Sequence, residues 1–449
     1  MSDMTIVRQL AEFCSGLRLE EQPAEVVHKL KICMFDALEC CLAQREDSRR
    51  KAAFFSVNKG REGQRASLFG MGRMASAEDA AFYNTVTGAV TSRNDSSPTG
   101  ICHPGSILFP VVLALAEEEG IGGKEVLEAV LCGYETMIRL GNTLVSAQIE
   151  KSFRNTALVA PFGAAFAAAK AVNLSEEETA SAASFACHSA GGVNEWALSG
   201  TGEDVFQNGW GARNGIQAMR LARSGAVGCD TIIEGERGLL AAFGAQEKVS
   251  LMTEGLGGSY KILEVIHKPI DSCFFVQGPC QAAEQLLKRH RLNVSEIREV
   301  EIRVSAQAKN YPGCDYKGEI LTPVQGIMSI PLGVASTLVL GDSSHIRWEP
   351  PFTQGITNLM ECCQVKESEK LTKEAPEKQG AEVYVRMKSG EEYVSALPDV
   401  VPLTDEQVIE RFSRTASERL GDIRMKKMRD MIWHLEEFES IHPLIGFLQ

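Results

Sequence analysis

The chain has 449 residues, more than one hydrophobic core of ordinary size can serve, so two or three cores are expected. Its 44% hydrophobic and 23% charged residues are a globular mix, and 7% aromatic with 40 glycines favours close-packed helices over a β-sandwich. A formal net charge of −13 argues against a nucleic-acid surface, yet leaves room for an anion held by a few buried cations.

The first residues, MSDMTIVRQLAEFCSGL, are acidic where a secretory leader needs a basic start, and no small-residue cleavage site follows. No apolar run approaches the ~18 residues of a membrane span, so a cytoplasmic protein without membrane contact is expected. The 13 cysteines are scattered, and no C-x-x-C occurs. Their odd number and spacing predict reduced, packed thiols and no metal site.

Residues 4–45 read as two amphipathic helices divided near Pro23, with Val26, Leu30, Cys33, Met34, Ala37 and Cys41 at three- and four-residue spacing. Ser76 followed by Asp79 resembles a helix cap before a segment reaching about residue 92. A Gly/Pro-bearing polar loop occupies 93–105. Helical segments follow at about 108–120, 124–142, 159–172, 176–195 and 209–225. No strand is predicted before about residue 265.

The pattern changes at about 268. Val300, Ile302 and Val304 alternate inward, as do Val383, Val385 and Met387, with Ser389-Gly390 as a hairpin turn. Helices at about 277–290, 324–340 and 351–361 interleave with these strands. Residues 364–380, charged and poor in apolar side chains, read as a solvated loop or a flexible edge. Thr404 is the expected cap of a final helical stretch. The predicted fold is mainly α: a large all-helical domain (1–266), interrupted by a smaller α+β lid domain (267–400), with a C-terminal helical return (401–449).

Two motif-like strings fail. GWGARNG at 209–215 lacks a preceding strand and the right glycine spacing for a dinucleotide. CHSAG at 187–191 lies in a helical run, so His188 reads as a packing histidine. The loop 93–105 is richer in chemistry. It gathers Arg93, Asp95, Ser96, Ser97 and His103, with His103 set in a rigid turn by Pro104. The same residues also describe a polar connector with an N-capping aspartate. Lys268, at the change of texture, could bind a carboxylate or be an ordinary surface lysine. Arg154 stands before an Ala-rich helix, a place for a cation that is unfavourable unless an anion joins it.

Several stretches resemble the MmgE/PrpD family of 2-methylcitrate dehydratase, cis-aconitate decarboxylase and iminodisuccinate epimerase. They are AAFYN at 80–84, NDSSPTGICHPG at 94–105, LCGYETMIRLGN at 131–142, PFGAAFAAAKAVNLSEEE at 161–178, IIEGERG at 232–238 and HKPIDSC at 267–273. The resemblance implies a cofactor-independent homodimer whose interdomain pocket takes a small di- or tricarboxylate. It implies proton transfer beside a carboxylate, ending in elimination, decarboxylation or epimerisation. Carried over by residue, it implies His103, Lys268 and Asp95 as catalytic, and Ser97 and Cys273 as substrate-binding. The chain departs from the family where Ser92 or Arg93 replaces a loop aspartate, Arg154 a histidine, Gln207 and its neighbours a Lys/His pair, and Leu332 a tyrosine; Arg93, Arg154 and Gln207 are expected to bind substrate in their place. Those departures leave a catalytically silent carboxylate- or protein-binding paralogue as the alternative.

Overall fold

A computed structural model describes residues 4–449. Pro23 precedes the helix Ala24–Ala43, and Ser76 accepts from the amide of Asp79 at the head of Ala77–Ala89. The Ala-rich helix Asn155–Ala171 is the axis of the first core. Its residues are almost all buried, because small side chains let its neighbours approach closely. A Cβ at Gly163 would lie 2.5 Å from Cβ of Met137 on helix Gly123–Leu144. One at Gly215 would lie 2.3 Å from Cβ of Ala164, so Asp204–Arg223 packs as closely on the other side.

Two hydrophobic cores result. One runs from Val7 to Val265 and takes in residues from Val408 to Leu448; the other is built from residues between Ile270 and Val400, joined by Trp196 and Ala197. The fold is mainly α with a small α+β part, as the periodicity predicts. In the second part, Ile297–Val304 is parallel to Cys363–Glu367 and antiparallel to Ala381–Met387, which pairs in turn with Glu392–Leu397. Val300, Ile302, Val304, Val383 and Val385 are buried in the second core, and helix Phe274–Arg289 packs on the strands Ala381–Met387 and Glu392–Leu397. The chain then returns through Asp405–Leu420, capped reciprocally by Thr404 and Gln407, and seats Phe412 edge-on against Phe35.

The structure departs from the sequence reading in four places. A short hairpin, Ala66–Leu68 with Arg73–Ala75, precedes residue 265; three-residue strands are too short to show a period. Within 364–380, predicted as a solvated loop or flexible edge, lie most of the strand Cys363–Glu367 and the helix Glu369–Glu374. They form at a sheet edge, where outward side chains stay charged. His188 is exposed at the end of its helix rather than packed. Leu332 is wholly buried in the second core and lies outside the cavity described below. Among the described residues, no helix is long and apolar enough to cross a membrane.

Candidate active site

Helix Ala77–Ala89 ends before Ser92, which adopts the left-handed region (φ 59°) and turns the chain into the loop. The loop is pinned at both flanks. Ser96 pairs with Ile266 through two backbone hydrogen bonds of 2.9 Å, and Ser97 pairs with Cys102. The Ser97 hydroxyl also accepts from the amide of Gly100 at 3.1 Å, closing the turn.

His103 is held by Nδ1, which lies 2.8 Å from the carbonyl oxygen of Asp95 and 3.0 Å from the Ser96 hydroxyl. A carbonyl only accepts, so Nδ1 carries the proton and Nε2 keeps its lone pair. Nε2 has no protein partner among the described residues. Burial, then the charges of Lys268 and Arg154, push the imidazole well below its ordinary value, so it is neutral at pH 7.

Lys268 is almost fully buried, and its ammonium donates to the carbonyls of Ser92 at 2.6 Å and Ser272 at 3.0 Å. Two of its three N–H bonds are thereby used. Burial pushes it down to about 8. Arg154 caps helix Asn155–Ala171 and donates to the Asp204 carbonyl at 3.3 Å and to the Asn208 side chain, with its guanidinium 5.9 Å from the Trp196 ring. Asp204 and Asn208, one helical turn apart, therefore share the face that meets Arg154.

His103, Lys268, Ser97, Arg154 and Cys273 line one cavity of about 80 Å³ between the two cores. Asp95 stands behind the wall, fully buried, with one oxygen accepting from Gly105 N–H at 3.0 Å and the other from Tyr134 O–H at 2.6 Å. Burial and the nearby Asp36 raise it to about 7. Its carbonyl rather than its carboxylate orients His103.

Two expected substrate ligands lie elsewhere. Arg93 does not line the cavity; it pairs with Glu39 at 3.1 Å and Asp271 at 3.6 Å, because the turn at Ser92 sends it to the opposite side. Gln207 points away from Asn208 on its helix and donates to the Val193 carbonyl at 3.0 Å. Sequence reasoning missed Trp196 and Tyr311, which wall the cavity, and Asp36 and Arg411, which brace it. Tyr311 sits in an unremarkable KNYPG string, so nothing local marked it. Among the described residues no group of three or more His, Cys, Asp or Glu is placed to hold a metal ion.

Residues 8–252 match the MmgE/PrpD N-terminal domain, and residues 271–437 match the MmgE/PrpD C-terminal domain. A cis-aconitate decarboxylase-like protein, oryM, of Aspergillus oryzae is 24% identical over 99% of this chain and 97% of its own. A cis-aconitate decarboxylase of Aspergillus terreus is 23% identical over 99% of this chain and 96% of its own.

Proposed function

The chain belongs to the MmgE/PrpD family and is an enzyme of dehydratase or decarboxylase type; from that premise we propose a cofactor-independent lyase or isomerase acting on a small di- or tricarboxylate. One observation carries the reading. A neutral histidine with a free Nε2 shares a small cavity with two cations, Lys268 and Arg154.

Arg154 holds one substrate carboxylate. The remaining N–H of Lys268 faces the carboxylate beside the reacting carbon. His103 Nε2 takes the proton from that carbon, and the electron pair enters the carboxylate as an enediolate. Fixed positive charge at Lys268 favours this intermediate over the ground state, since the extra negative charge appears only there. Loss of hydroxide or reprotonation of this intermediate gives elimination or epimerisation; in decarboxylation the departing carbon dioxide itself leaves the electron pair, which the same charge stabilises until a proton reaches it. Asp95 positions His103, and Ser97 shapes the loop. A cytoplasmic homodimer is part of the same reading.

The test is deuterium wash-in from D2O, followed by NMR, across cis-aconitate, citrate and small dicarboxylic acids. Wild type exchanges or converts at least one acid, and His103→Ala lowers that rate by about 10²-fold or more. Binding of an acid without exchange or product across the panel would instead identify a silent carboxylate-binding paralogue.

A further inference from the structure

Each of the three outcomes needs a proton donor, and elimination and epimerisation need an acceptor as well. Elimination protonates a departing hydroxide, decarboxylation protonates the carbon left behind, and epimerisation returns the proton from the other face. The helical domain supplies His103 as acceptor. Lys268 turns its one uncommitted N–H to the substrate carboxylate, where it serves as fixed charge, and arginine does not release its proton at neutral pH. The Tyr311 hydroxyl is pushed up by burial, away from the range where it transfers a proton readily.

One group on the lid side remains. Cys273 lines the cavity and stands as N-cap of the 16-residue helix Phe274–Arg289. Its backbone is fixed by an amide bond to the Ile327 carbonyl at 2.9 Å. Cys314 is fixed from the same turn, accepting from the amide of Ile330 at 2.9 Å. Cys314 is the neighbour that chiefly lowers the Cys273 thiol, and the Phe275 amide and the charges of Lys268 and Arg154 add to it against burial, whereas Cys314 itself is raised. The other cysteines with a resolved shift are all raised, chiefly by burial.

We propose that Cys273 is the second proton carrier of this site, donating from the lid side to the intermediate that His103 forms from the helical-domain side. The proposal rests on the lyase/isomerase reading above. The Cys273 S–H proton bonds to the substrate carbon or to the departing oxygen, and the S–H electron pair stays on sulfur. The thiolate is then held by Cys314, the Phe275 amide and the Lys268 charge. After product leaves, the proton on His103 is lost to water and one from water returns to Cys273, restoring both groups.

Two measurements test it. The first follows Cys273→Ser in D2O with the acid that wild type converts. A serine hydroxyl keeps the size but is a far weaker acid, so product formation falls by about 10²-fold while exchange at the substrate carbon, driven by His103, persists. Product formation equal to wild type overturns the proposal. So does an equal loss of exchange and product, which would mean that the thiol only shapes the site. If wild type neither exchanges nor converts any acid, the lyase/isomerase reading itself fails and takes this proposal with it. The second measurement treats the intact protein with iodoacetamide at pH 7 and maps the labelled peptides. Cys273 is expected to react faster than the exposed Cys229. Labelling of Cys229 with Cys273 untouched overturns the proposal whatever the substrate.

Discussion

Arg411 donates from Nη1 to the carbonyl oxygen of Lys268 at 2.9 Å, joining residues 143 positions apart in the chain. Its Nη2 pairs with Asp36, and the other oxygen of Asp36 accepts from the Asp95 amide at 2.9 Å. One buried ion pair thus braces both the Lys268 segment and the loop that carries His103.

Removing half of that pair leaves a buried charge without its partner. Arg411→Met is expected to cost about 3–5 kcal/mol of stability, and the double variant Asp36→Asn/Arg411→Met recovers part of the loss. Urea unfolding of the three proteins measures this. Additive losses would show that the two side chains are not coupled.

Activity should depend on pH through Lys268 rather than His103. Burial holds the Lys268 ammonium down to about 8, so the free enzyme loses a substrate-binding charge as pH rises through that value. His103 is pushed below its ordinary range and stays neutral, so no acid limb develops near its usual value of about 6.5. The expected kcat/KM profile is level from about pH 6.5 to 7.5 and falls about tenfold per unit above 8. Lys268→Arg removes the Lys268 part of the basic limb, and a limb that persists belongs to the Cys273 thiol, which must stay protonated to donate.

Stability should carry the mark of Asp95. Its folded value of about 7 lies above the ordinary carboxylate value, so between the two the folded chain binds a proton that the unfolded chain lacks. This group's contribution is therefore greatest at low pH and is lost as pH rises towards 7. Asp95→Asn removes the loss, and its stability relative to wild type should improve by about 1 kcal/mol or more from pH 4 to 7. Denaturant titrations at several pH values give the difference directly.

The positions of the arginines give opposite expectations for two similar substitutions. Arg154→Ala removes a guanidinium from the cavity wall and should raise KM about 10- to 100-fold, the worth of one charge-assisted hydrogen bond. Arg93→Ala should leave KM within about twofold, yet cost about 1–3 kcal/mol, because buried Glu39 loses its closest cation. Steady-state kinetics and thermal unfolding of both variants separate the roles.

Much of this was legible in the chain. The helices around Cys33, Ala77 and Val408 follow from local spacing and caps, and the Val300 and Val383 strands from alternation. The loop from Arg93 to His103 could be picked out because its residues are neighbours in sequence. Its inner geometry could not. The left-handed turn at Ser92 separates Arg93 from the cavity, and the Asp95 backbone, not its side chain, sets the tautomer of His103. Gln207 and Asn208 are adjacent in sequence, yet 100° apart around a helix only one meets Arg154.

The sequence by itself determined the type of most elements and the family, since these rest on period, caps and strings of neighbouring residues. Tertiary structure alone decided which cations share a cavity with His103, and which acids and bases are pushed from their ordinary values. Those properties come from desolvation and from contacts such as Arg411 with Lys268, between segments that meet only once both cores have closed.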